Sequence, residues 1–138
     1  MEVCTKMEEV YEFLKKCGYY FLATDERMQP RVRPFGTYLI YGGKLYIQTG
    51  KGKPVTKQIM ANPKIELCAY DEETESWLRV SAMAIEDPRA EVQQAMLDAF
   101  PELKDRYAVN DGNTTCLYLT NVIASFENHN GEKKVVTF

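Results

Sequence analysis

The sequence predicts a small antiparallel β-barrel with peripheral helices, and three observations carry that prediction. Six or seven short runs rich in aromatic and branched apolar residues are separated by turn signals built from Gly, Pro, Asn and Asp. Helical periodicity is confined to the chain start and to the segments after Pro54 and Pro88. The third is size: 138 residues, 45% hydrophobic and 27% charged, suffice for one domain over 1–138 with its own core, and no repeat, linker or low-complexity tract divides it.

From Lys6 to Cys17 the spacing places Met7, Val10, Tyr11, Phe13 and Leu14 on one side of a helix. Glu8, Glu9, Glu12, Lys15 and Lys16 fall opposite, and Gly18 is the stop. Tyr19–Thr24 reads as a strand, turned by residues 25–29. Pro30–Ile40 resumes extended chain, with Pro30 and Pro34 suited to an edge or a bulge. Tyr41-Gly42-Gly43-Lys44 is a tight hairpin connection into the strand Leu45–Thr49. The glycine-lysine loop Gly50–Pro54 enters a short helix, Val55–Ala61, ended by Asn62-Pro63. Strands return at Ile65–Tyr70 and Trp77–Ile85, around an acidic turn at 71–75. Asp87-Pro88 opens a helix with Val92, Met96, Leu97 and Phe100 on one face, and a short helical piece follows within 101–108. Beyond the polar turn 110–114, Cys116–Glu127 is a strand, and Lys133–Phe138 is a last one after Asn130-Gly131.

Composition removes several function classes. Seventeen Lys+Arg against twenty Asp+Glu leave a net charge of −3, which gives no electrostatic reason to expect nucleic acid or an anionic membrane as partner. The apolar runs fall far short of a membrane span, and the first residues carry acids rather than a basic leader, so a cytoplasmic protein is expected. Cys4, Cys17, Cys68 and Cys116 form no CxxC pair, which argues for free thiols rather than a zinc site or disulfide scaffold. Cys68 and Cys116 lie in apolar runs and are expected as inert core thiols. Cys17 precedes the helix stop, where the helix dipole disfavours a thiolate. The single histidine, His129, excludes a multi-histidine metal site. It reads as an exposed loop side chain, or as a proton donor should the tail fold over a site. Glu72, Glu73 and Glu75 read as a solvated turn rather than a carboxylate pair. No acid–base constellation emerges, so no catalytic side chain is assigned.

The chemistry-bearing stretch is Gln29–Pro63. Arg31 and Arg33 alternate along one strand and share a face. Lys51, Lys53 and Lys57 follow on a glycine loop that enters a helix, whose N-terminus favours anions. Together they could cradle a phosphate monoester, or they could be solvated surface charges. Neither the GxGxxG nor the P-loop fingerprint is present.

The series Pro30-Arg31-Val32-Arg33-Pro34-Phe35, then Leu45-Tyr46-Ile47-Gln48-Thr49, Lys53, Lys57-Gln58-Ile59 and Asn62-Pro63 resembles the pyridoxamine 5′-phosphate oxidase-like FMN-binding split barrels. Trp77-Leu78-Arg79-Val80-Ser81-Ala82 continues the likeness, which spans about residues 7–127. The resemblance implies a mainly β, small antiparallel split barrel with flanking helices, assembled as a homodimer with FMN at the interface. By that resemblance, Arg33, Pro34 and Phe35 line the flavin, as do the residues up to Tyr38, partly through backbone groups. Gln48 and Thr49 approach the ring or ribityl chain, Lys53 and Lys57 hold the phosphate, and Trp77 meets the flavin from the second copy. The full oxidases carry an Arg-Lys pair where this chain has Pro54 and Val55, and an Arg-x-His substrate motif near the C-terminus that this chain lacks. The activity implied is therefore that of a flavin-dependent oxidoreductase on some small molecule other than a vitamin B6 phosphate. The alternatives are a non-catalytic module of the same fold holding FMN, heme or a deazaflavin, and a barrel that binds no cofactor.

Overall fold

Local rules set the first element. The Thr5 hydroxyl accepts a 3.1 Å hydrogen bond from the Glu8 N–H, capping α1 (Lys6–Cys17). Acids occupy its first turn and Lys15 and Lys16 its last, matching the helix dipole. Gly18 ends it at φ +83°, with its N–H bonded to the Leu14 carbonyl at 2.8 Å. The structure, a computed structural model, describes residues 5–138, so Cys4 and the first acidic residue lie outside the described residues. Val10 and Leu14 on the inner stripe are fully buried, each contributing on the order of 1.5–3 kcal/mol of hydrophobic stabilisation.

The remaining elements are β1 (Tyr20–Glu26), β2 (Gln29–Phe35), β3 (Leu39–Tyr41), β4 (Lys44–Gly50), α2 (Pro54–Ala61), β5 (Lys64–Asp71), β6 (Ser76–Glu86), α3 (Ala90–Ala99), a 3-10 segment (Pro101–Asp105), β7 (Thr114–Asn128) and β8 (Lys133–Thr137). Strands are antiparallel throughout, in the order β2-β1-β5-β6-β7-β4-β3, with β8 also paired to β7. The architecture is the expected mainly β split barrel with flanking helices. Eight strands replace the expected six or seven because the chain leaves the ladder at Gly36–Tyr38, dividing the run 30–40 into β2 and β3. Pro30 and Pro34 sit on β2, an edge strand, where a missing N–H costs no ladder bond.

β7 explains the split. Its first half, from Thr114 to Tyr118, pairs with β4, and its second half, from Ile123 to Glu127, pairs with β8, while β6 runs along both. Between the halves the β6–β7 register shifts at Ser81/Met83, and Asn121 adopts φ +52°, a bulge that redirects the strand. The main core includes Tyr20, Leu22, Ile47, Leu67, Leu78, Val80, Leu117 and Ala124 together with α1. A second cluster lies on the other side of β4 and β7, where Val92, Met96 and Leu97 of α3 pack with Leu103 and Tyr107 on Tyr46 and Cys116.

Two thiols separate by strand phase. Cys116 is buried as expected, with its pKa pushed up to about 12 by burial. Cys68 is exposed, contrary to the core thiol expected. Burial on β5 alternates strictly, and Cys68 falls on the outward phase with Glu66 and Tyr70.

Candidate functional site

The end of β4 meets the loop into α2 beside the segment that follows α3. Gly50 permits this approach, since a Cβ there would lie 3.0 Å from the Tyr107 hydroxyl and 3.1 Å from Asn113 Oδ1. The loop is fastened by the Lys51 N–H, which donates to the Asn113 carbonyl at 2.7 Å, and by the Thr56 hydroxyl, which donates to the Gly50 carbonyl at 2.6 Å. Asn113 is placed by Asp111, whose carboxylate accepts from the N–H groups of Ala108, Asn113 and Thr114. Burial opposes ionisation of Asp111, yet these bonds outweigh it and hold the pKa at about 2.

Between these walls lies a cleft lined by Pro34, Phe35, Gly36, Thr37, Gln48, Thr49, Lys53, Glu102, Leu103, Arg106 and Tyr107. Thr37 braces the strand: its hydroxyl accepts from the Gln48 N–H at 2.9 Å, and its carbonyl accepts from the buried Tyr20 hydroxyl at 2.7 Å. The Gln48 side chain is different. Only 5% of Gln48 is exposed, and its amide nitrogen Nε2 is buried without a hydrogen-bond partner. An unpaired buried amide costs about 1–3 kcal/mol, and of the three unpaired buried polar atoms among the described residues (Gln48 Nε2, Ser125 Oγ and Glu127 Oε2) only that of Gln48 belongs to the lining of this cleft.

Five of the eight residues singled out in the sequence, Pro34, Phe35, Gln48, Thr49 and Lys53, thus line one cleft. The other three lie elsewhere. Arg31 and Arg33 do share a face, in register with Thr24 and Leu22. There the Arg33 guanidinium donates to Thr24 Oγ1 at 2.7 Å and to Gln58 Oε1 at 2.5 Å, tying β2 to β1 and α2. Lys57 is exposed and lines a separate groove with Asp25, Glu26 and Gln58. Trp77 sits with His129, ring centroids 5.1 Å apart, and Tyr70 joins them through its hydroxyl, 3.5 Å from His129 Nε2. Lys51 is paired with Glu86 at 3.3 Å. Thr37 falls within the run from Arg33 to Tyr38 that the sequence reading placed along the flavin. Sequence reading missed Glu102, Leu103, Arg106 and Tyr107, because nothing in spacing brings the segment after α3 to the end of β4.

The family model for pyridoxamine 5′-phosphate oxidase matches residues 7–113, most of the chain. The chain belongs to the pyridoxamine 5′-phosphate oxidase family. Within that family's fold, a NimC/NimA family protein of Clostridium acetobutylicum is 39% identical, with a TM-score of 0.91 over 96% of this chain and 92% of that one. A pyridoxamine 5′-phosphate oxidase-related, FMN-binding protein of Nostoc punctiforme is 16% identical, with a TM-score of 0.63 over 100% of this chain and 99% of that one. A heme-binding protein of Mycobacterium smegmatis is 15% identical, with a TM-score of 0.71 over 99% of this chain and 60% of that one. The search of curated proteins returned no match. The last two likenesses are of fold alone, and proteins of this fold thus include an FMN binder and a heme binder. Among the described residues no helix is long and apolar enough to cross a membrane.

Proposed function

We propose that the chain is an FMN-binding flavoprotein, a flavin-dependent oxidoreductase acting on a small molecule. The observation that carries this reading is the unpartnered Gln48 amide in a cleft that also holds Lys53 and Arg106. FMN asks a site for cations at its phosphate, polar groups at its ring edge and apolar cover for its faces. The cleft offers Lys53 and Arg106, then Gln48 and Thr49, then Phe35, Leu103 and Tyr107. When bound, FMN supplies hydride acceptance and donation. The residues of the chain bind and orient it, and Gln48 donates to an acceptor on the ring edge.

A heme reading finds less support. The cleft lining has no His, Cys or Met to ligate iron, its tyrosine, Tyr107, is buried with its hydroxyl against Gly50, and the sole histidine is engaged with Trp77 and Tyr70.

A second copy of the chain completes the site. At about 270 Å³ the cleft is smaller than usual small-molecule sites, which run from roughly 300 Å³ upward. The outer sheet face also lacks cover. Register places Phe21, Val32, Ile123 and Val135 on that face, each at least half exposed. Exposed apolar residues on one sheet face mark an interaction surface, here two apolar flanks on either side of the Glu66–Arg79 ion pair of β5 and β6. In the dimer the second copy brings Trp77 toward the flavin, as the family resemblance implies.

Purified protein tests the reading directly. A flavin absorbance spectrum near one FMN per chain, bleached by NADH or NADPH and restored by an acceptor, is the expected result. Stoichiometric FMN without reduction would select the non-catalytic module, and protein that takes up no flavin would overturn the proposal.

A further inference from the structure

We infer that Arg106, carried on the segment after α3, is the phosphate anchor of the cleft and works with Lys53 in place of an Arg-Lys pair at the start of α2. The inference rests on the flavin reading and names a residue within it. The start of α2 is poorly equipped for a phosphate. Pro54 has no N–H to offer, Val55 is buried and apolar, and Lys57, in the first turn, lines a separate groove with Asp25, Glu26 and Gln58. The cations expected to compensate are committed elsewhere: Arg33 to Thr24 and Gln58, and Lys51 to Glu86.

Arg106 is not committed. Among the described residues its guanidinium makes no hydrogen bond or ion pair and lies 5.9 Å from the ring centroid of Tyr107. Its backbone, by contrast, is fixed. The N–H groups of Arg106 and Tyr107 donate to the Leu103 carbonyl at 3.0 and 2.8 Å, and Leu103 and Tyr107 are both buried in the second cluster. Tyr107 in turn closes on Gly50, so the base of the Arg106 side chain is held against the loop that carries Lys53. The charges lining the cleft are Lys53, Arg106 and Glu102, a surplus of one cation, which suits a bound anion. A planar guanidinium with free donors binds phosphate oxygens in pairs, which a lysine cannot do. The buried Gln48 amide is the independent sign that the same cleft takes a ligand.

The test compares FMN with riboflavin, which lacks only the phosphate. Fluorescence titration of the flavin-free protein should show FMN bound more tightly than riboflavin. Arg106→Ala should weaken FMN by about tenfold to a hundredfold and leave riboflavin within about twofold. Arg106→Lys should fall between, and inorganic phosphate should compete with FMN less well in Arg106→Ala than in the parent. Arg106 is exposed, so melting curves should coincide, and Arg106→Gln serves should Ala disturb the segment. Equal weakening of both flavins, or no weakening of FMN, overturns the assignment of Arg106 while leaving FMN as the cofactor. A parent protein that binds neither flavin overturns the flavin reading along with it.

Discussion

Gln48 and Asp87 are both buried polar side chains, and their surroundings give them opposite fates. The Gln48 Nε2 has no partner in the described residues, so it weakens the free protein, and under the proposed function it is the donor that the flavin satisfies. Gln48→Leu should therefore leave the melting temperature of the flavin-free protein unchanged or raised by about 1–4 °C, while FMN affinity falls roughly tenfold. A large loss of stability in the flavin-free variant would show that the amide is already satisfied. Asp87 is fully used: Arg89 grips its carboxylate, with Nη2 at 2.9 Å, and the buried Tyr46 hydroxyl donates to it at 2.7 Å. The Arg89 bonds hold the Asp87 carboxyl well below the usual range. Burial, reinforced by the bond to Asp87, pushes the Tyr46 hydroxyl up to about 12. A depressed carboxyl stabilises the fold above its unfolded pKa near 3.9, and that contribution is lost as pH falls below it. Asp87→Ala should cost about 2 kcal/mol at pH 7, measured by urea unfolding, and flatten the decline in stability between about pH 4 and pH 2.

At the scale of elements, the cleft depends on a close crossing of backbones rather than on any one ligand residue. Gly50→Ala inserts a methyl 3.0 Å from the hydroxyl of the buried Tyr107 and 3.1 Å from Asn113 Oδ1, closer than ordinary van der Waals contact, so both must shift. The expected cost is about 1–3 kcal/mol, with weakened binding of both FMN and riboflavin because the walls move apart. Retained stability and retained flavin binding together would show that the loop yields freely. Helices, hairpins and edges were legible in the sequence because each is governed by neighbours in the chain. Gly18, Gly42-Gly43 and Asn62-Pro63 mark ends, and Pro30 and Pro34 mark an edge. The wall formed by Glu102, Arg106 and Tyr107 was not legible. It reaches the end of β4 only through the β4–β7 pairing and the turn built on Asp111, which are contacts between distant parts of the chain. Strand phase was the other blind spot. The apolar run around Cys68 suggested burial, but alternation along β5 turned that thiol outward.

At the scale of the whole molecule, the proposed dimer is tested on the outer sheet face. Phe21 and Val32 lie on it at 50% and 68% exposure, so charged substitutions there leave the core of a single chain intact. Phe21→Lys combined with Val32→Asp should convert a dimer to a folded monomer on gel filtration and reduce flavin retention at least tenfold, if a second copy completes the site. A variant that stays dimeric and retains flavin would place the interface elsewhere.

The kink in β7 also decides where this barrel can accept a change of length. On either side of Asn121 the strand presents opposite-facing alternate side chains to fixed neighbours, with Val122 and Ala124 inside and Ile123 out. Deleting Asn121, the extra residue of the bulge, would leave a regular ladder with Val122 opposite Ala82 and with Val122 and Ala124 still inside, so only the bend is lost, whereas a deletion in a regular stretch of β7 inverts the inside–outside phase. The tips at Gly42-Gly43 and Asn130-Gly131 carry no such parity, and a residue inserted there shifts nothing beyond the loop. Tolerance to indels in this chain should thus follow pairing geometry rather than distance from the cleft.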